Sequence, residues 1–147
     1  MKNILQKLTY IAGLIAISSA LNGCTKKASN EILIGHFGSM SGSEATFGQS
    51  TDNGIRLAID EANLKGGIKG KKIKLITMDD QGKAEEAASV ATRLIEQEKV
   101  VALMGEVASS RSLAVAPIAQ NKKIPMMSPS STNPKVTEVG DFIFRAC

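Results

Sequence analysis

Alternation is the feature that most constrains this chain. Short apolar runs recur along it, and helical stripes or polar turns separate them. The run Glu31-Ile32-Leu33-Ile34-Gly35-His36-Phe37 is mostly apolar, which is the pattern of a strand buried on both faces. Further strands are expected at 72–78, 100–104, 124–128 and 142–145. Between them, Ile55, Ile59 and Ala62 mark a helix over 48–63, and Ala87, Ala91, Leu94 and Ile95 mark another over 84–97. A third helix is expected over 109–121, with Pro117 kinking or restarting it. Gly66-Gly67 stops the first helix and Gly105 stops the third strand. Strands spaced by helices imply right-handed βα units, so the fold class is α/β, a doubly wound parallel sheet with Rossmann-like βα units.

In such a sheet, ligands bind beyond the carboxyl ends of the strands, where strand order reverses. The loops of interest are therefore 38–47, 79–83, 105–110 and 128–133. Composition narrows the chemistry. The 147 residues suit one domain, and 43% hydrophobic content suits a packed core. The formal charge of +4 includes Lys2 and Lys7, which lie in a segment expected to be removed. Without them 16 Lys and Arg face 14 Asp and Glu. That balance, with no Trp and one Tyr, argues against a nucleic-acid partner. The lysine-rich stretch Lys69 to Lys74 follows Gly66-Gly67 and is read as a solvated turn entering a strand.

The amino terminus is an address. Lys2 and Lys7 precede a 13-residue apolar run, 8–20, too short to span a bilayer, which takes about 20 residues. Leu21-Asn22-Gly23-Cys24 then resembles a bacterial lipobox, with Asn22 a less usual occupant. The expectation is a lipoprotein signal peptide over 1–23, cleavage after Gly23 and acylation of Cys24. Several acyl chains would hold the protein at a membrane. Residues 24–30 are small and polar, and read as a tether.

Enzyme chemistry is hard to find. No Gly-x-Gly-x-x-Gly opens a helix, and Gly66-Gly67-Ile68-Lys69-Gly70-Lys71-Lys72 lacks P-loop spacing. Met40 occupies the nucleophile position of Gly38-Ser39-Met40-Ser41-Gly42. His36 is the only histidine and, at a strand end, is read as structural. Asp79-Asp80 should point to opposite faces, so capping and turn formation with Gln81-Gly82 is expected there. Catalytic residues, metal ligands and cofactors are accordingly expected to be none. What remains is hydroxyl groups after strands one, three and four: Ser39, Ser41 and Ser43; Ser109, Ser110 and Ser112; Ser128, Ser130, Ser131 and Thr132. Singly these suit caps and turns. Converging at one sheet edge, they suit a small polar pocket. The helix start near Ser109 also suits a carboxylate.

The run Ala62-Asn63-Leu64-Lys65-Gly66-Gly67-Ile68-Lys69-Gly70-Lys71-Lys72-Ile73 resembles a segment of the type 1 periplasmic binding proteins. The likeness is to the branched-chain amino acid (leucine/isoleucine/valine) receptors of ABC transporters. Met40-Ser41-Gly42, Met78-Asp79-Asp80-Gln81, the stretch from Met127 to Lys135, and Phe144-Arg145 extend it in order from Ile32 to Cys147. The resemblance implies two α/β lobes closing on a ligand. Residues 31–147 would be a partial N-terminal lobe, with the second lobe absent and the chain a truncated piece. It implies that Ser109 binds the ligand carboxylate through its hydroxyl and N–H. Ser130 would offer its carbonyl to the ammonium. Thr132 would contact both groups, and Phe47 the ligand side chain.

The implied function is an extracytoplasmic solute-binding lipoprotein, monomeric and lipid-anchored. It would lie in the periplasm or at the cell surface, pass a branched-chain or other small amino acid to an ABC permease, and have no enzymatic activity. Glu106 departs from that picture. An inward carboxylate would disfavour a carboxylate ligand and favour an amide, urea or other small polar one. A Rossmann-like enzyme is the remaining alternative.

Overall fold

The computed structural model describes residues 30–147; the leader, Cys24 and the tether up to residue 29 lie outside the described residues. Strand β1 is Glu31–Gly38, α1 is Ala45–Leu64, β2 is Lys72–Asp79 and α2 is Ala84–Glu96. They are followed by β3 (Ala102–Met104), α3 (Ser109–Lys122), β4 (Met126–Ser128), a 3-10 helix (Pro134–Val139) and β5 (Ile143–Arg145). All five strands are parallel, in the order β2-β1-β3-β4-β5. The expected doubly wound sheet is therefore present.

Handedness explains the layers. The chain steps from β1 outward to β2, then back past β1 to β3 and on to β4. Right-handed crossovers in opposite directions place their helices on opposite faces. So α1 covers β1 and β2 on one face, while α2 and α3 lie side by side on the other. The core follows the second face. Ala87, Val90, Ala91 and Leu94 of α2 meet Val115, Ala116 and Ala119 of α3 above Phe37, Leu103, Met126 and Ile143. Burying each large apolar side chain contributes about 1.5–3 kcal/mol. On the other face, α1 buries only Gly48, Asp52 and Ile55. Gly48 is required there, because a Cβ would lie 2.0 Å from the Ser39 carbonyl oxygen.

Several boundaries differ from expectation. Helix α1 starts at Ala45, three residues early. Strands β3 and β4 are shorter than their apolar runs: Val101 and Pro125 bond across the sheet, Val101 N–H to the Leu33 carbonyl at 2.9 Å and Leu103 N–H to the Pro125 carbonyl at 2.8 Å, yet lie outside the ladder. Helix α3 runs through Pro117 as one element, with the proline on its exposed side. Only the Leu113 carbonyl loses its helical donor there. The 3-10 helix was not anticipated. Asn133 caps it by accepting the Lys135 N–H at 3.0 Å, and Pro134 opens it.

Candidate functional site

Four loops meet at the carboxyl end of the sheet. Their cement is a buried polar cluster of Ser39 after β1, Asp80 after β2, Glu106 after β3, and Arg111 and Ser112 in α3. Glu106 is 1% exposed and organises the group. Its Oε1 accepts the Ser39 hydroxyl at 2.8 Å and the Ser39 N–H at 3.3 Å, and its Oε2 accepts the Ala108 N–H at 2.6 Å. Arg111 Nε lies 3.0 Å from the same Oε2, but its N–H is not aligned on that oxygen, so the attraction is coulombic at that atom. Arg111 also reaches the carboxylate of Glu44 and, at 3.2 Å, the carbonyl of Gly82. The inward carboxylate that the sequence left as a possibility is therefore turned beneath the loops and paired with a guanidinium.

Asp79 and Asp80 divide the work of the second loop. Asp79 accepts the N–H groups of Met40 at 2.9 Å and Gln81 at 2.8 Å, and the Ser41 hydroxyl at 2.5 Å. Burial works to raise its pKa, but these bonds outweigh it and hold the carboxyl below its ordinary value. Asp80 accepts the Gly82 N–H at 2.9 Å and sits 3.1 Å from the Ser39 hydroxyl. That hydroxyl has one hydrogen and two carboxylates in reach, so it serves only one at a time. Burial, with the charge of Glu106 adding to it, pushes the Asp80 carboxyl up. The turn role expected for this pair is present. The capping role is not: α2 starts after Lys83 without a side-chain cap, because both aspartates are engaged by the turn and the first loop.

Above this cement lie the residues singled out by sequence. Ser109 is the first residue of α3, and its hydroxyl accepts the Asn133 N–H at 3.2 Å. The first-turn N–H groups of a helix have no intrahelical acceptor, so α3 presents donors there. The Ser130 hydroxyl approaches the Val107 carbonyl at 3.4 Å, and Ser131 donates to Ser112 at 2.9 Å. Thr132, exposed, is carried between Ser131 and Asn133, and its carbonyl accepts from Arg145 at 3.3 Å. Ser109, Ser130 and Thr132 are thus brought to one place, through bonds between the loops after β3 and β4. Phe47 stands on the first turn of α1 at the same end of the sheet, 63% exposed and joined to the other three by no hydrogen bond.

Arg111 is the residue supporting these loops that sequence reading missed; a basic residue in the first turn of a helix, where the dipole disfavours it, was the signal. His36 lies below, fully buried, its Nδ1 3.0 Å from Asp52 and its Nε2 without a partner. Asp52 is also held by Thr77 at 2.5 Å and Arg56 at 2.6 Å. Burial holds the imidazole below its ordinary pKa, against the bond to Asp52. Among the described residues no three His, Cys, Asp or Glu side chains are grouped to hold a metal ion.

The periplasmic binding protein family matches residues 31–146. An amino acid binding protein of Pseudomonas aeruginosa is 34% identical over 145 residues, covering 97% of this chain and 39% of the relative. The isoleucine complex of LivJ, the branched-chain amino acid transporter substrate binding protein of Streptococcus pneumoniae, is similar with a TM-score of 0.75 at 38% identity, over 78% of this chain and 33% of that one. The leucine binding protein LivK of Thermotoga maritima gives a TM-score of 0.73 at 40% identity, over 79% and 32%. The chain spans 39% or less of the length of these proteins.

Proposed function

The chain belongs to the periplasmic binding protein family, and from that premise we propose that it contributes ligand contacts to a solute-binding lipoprotein that delivers a branched-chain or other small amino acid to an ABC permease. Residues 31–147 form part of the first lobe, behind a leader over 1–23 and a tether over 24–30. The protein is held on the extracytoplasmic face through Cys24, and binds and releases its ligand unchanged.

The observation that carries this reading is Ser109. Its hydroxyl accepts from Asn133, which leaves the hydroxyl hydrogen to donate beside the free donors of the helix start. A desolvated carboxylate needs such donors, each charged hydrogen bond being worth about 1.5–3 kcal/mol. Ser130 supplies a carbonyl to the ammonium, Thr132 contacts both groups, and Phe47 covers the ligand side chain.

Calorimetric titration of the whole protein with leucine, isoleucine, valine and short amides tests this. One of the amino acids is expected to bind, and turnover of some substrate while none of these ligands binds overturns the reading. Ser109→Ala and Thr132→Ala should each weaken binding about tenfold or more while the protein stays folded. Metabolic labelling with palmitate should be abolished by Cys24→Ser, and labelling that persists removes the anchor.

A further inference from the structure

The opposite, amino end of the sheet carries a feature that ligand binding does not use. Between α1 and β2 the chain makes a tight hairpin in which Ile68 and Lys71 exchange backbone hydrogen bonds of 2.9 and 3.0 Å. Gly67 permits it, at φ 75° and with the Lys71 carbonyl oxygen 2.0 Å from where a Cβ would lie. The tip holds Lys65, Lys69, Lys71 and Lys72, all exposed. Lys72 donates to the Asn63 carbonyl, whereas Lys65, Lys69 and Lys71 have no ion pair among the described residues. The nearby acids are Glu61, one turn before Lys65 in the chain, and Glu31 across the sheet, which pairs with Lys74 at 3.9 Å. Two large apolar side chains stand among these lysines, Leu64 at 87% and Ile68 at 47% exposed.

Cations interleaved with exposed aliphatic groups are the chemistry of a surface that rests on lipid headgroups. The chain also enters the domain here: Glu31, the first residue of β1, is in register with Lys72. We infer that the tip formed by residues 64–72 docks on an anionic phospholipid surface, its lysines on headgroup phosphates and Leu64 and Ile68 at the acyl boundary. The inference rests on the anchor at Cys24, since the seven residues from Cys24 to Asn30 reach at most roughly 25 Å. At that distance each lysine contributes about 1 kcal/mol, a factor of about 5, without needing a strong free-solution affinity.

The test is lysine footprinting of the full chain with a water-soluble acylating reagent, read residue by residue by mass spectrometry. The protein is reconstituted on vesicles of phosphatidylcholine alone or mixed with phosphatidylglycerol. Modification of Lys65, Lys69 and Lys71 should slow about fivefold on the mixed vesicles only, and recover in about 1 M salt, where screening acts within about 3 Å. Lys83 and Lys135, at the other end, should not change. The Lys69→Glu/Lys71→Glu protein should lose the slowing at Lys65. The Leu64→Ser/Ile68→Ser protein should weaken it while keeping its salt dependence. Equal rates on both vesicle types overturn the inference, as does the same slowing without vesicles, which would indicate a protein partner or a second copy. Flotation with neutral vesicles reports the anchor separately. If wild type floats no better than Cys24→Ser, the anchor fails, whatever the lysines show.

Discussion

The two ends of the sheet solve opposite problems. At the carboxyl end, Ser39, Asp80, Glu106 and Arg111 are buried, and their bonds hold the surrounding loops. At the amino end, Lys65, Lys69 and Lys71 are solvated and hold nothing. Burial makes a polar group costly to leave unpaired, so the first end is rigid and intolerant of change. Exposure makes a charge nearly free to keep or lose, so the second end can respond to its surroundings. A ligand site that must be set in advance belongs at the first, and a reversible surface contact at the second.

The strongest way to break this contrast is at Arg111. Arg111→Met leaves Glu106 buried without its cation, and should cost about 3–5 kcal/mol in urea unfolding. Adding Glu106→Gln should restore part of it, and equal losses in the single and double variants would remove Arg111 from its role. At the amino end, the backbone alone carries such risk. Gly67→Ala should cost about 1–3 kcal/mol through its positive φ and the Lys71 carbonyl, leaving the carboxyl end intact by amide exchange.

A pH series sharpens the comparison further. His36 has a folded pKa below 6.5, so as pH falls the unfolded chain takes up the proton first. The stability held by neutral His36 is complete above 6.5 and is lost below it, down to its lowered folded value, by up to about 1.4 kcal/mol per pH unit. Asp80, raised above 3.8, acts with the opposite sign: it stabilises at low pH and loses that contribution as pH rises through its folded value. Urea midpoints for His36→Gln should lose the first slope and those for Asp80→Asn the second. The smallest effect belongs to the basic tip, where Lys71→Glu should change stability by less than about 0.5 kcal/mol.

Much of the fold was legible because the apolar pattern is nearly continuous. Buried strands such as 31–38 and the stripe from Ala87 to Ile95 are set by their own residues. The strand starts were less legible, since the β3 and β4 ladders open at Ala102 and Met126, two residues inside their apolar runs, although Val101 and Pro125 still bond across the sheet. The 3-10 helix was missed because it is local capping by Asn133 and Pro134, not periodicity. At the candidate site, the hydroxyl residues could be named but not their support. Arg111 pairs with Glu106, Glu44 and Gly82 across three loops, and no spacing in the chain announces contacts of that kind.

Strand β1, eight residues long, lies inside the sheet, flanked by β2 and β3. Each neighbour lies across a helical crossover: β2 begins only at Lys72 and β3 only at Ala102. A nascent chain therefore carries an apolar strand with at least one edge unpaired until both crossovers have been synthesised. Parallel pairing of this kind forms late, because the loop must close before any contact rewards it. The topology that places four loops around one site also imposes a waiting time on folding, during which β1 needs protection from pairing with the wrong edge.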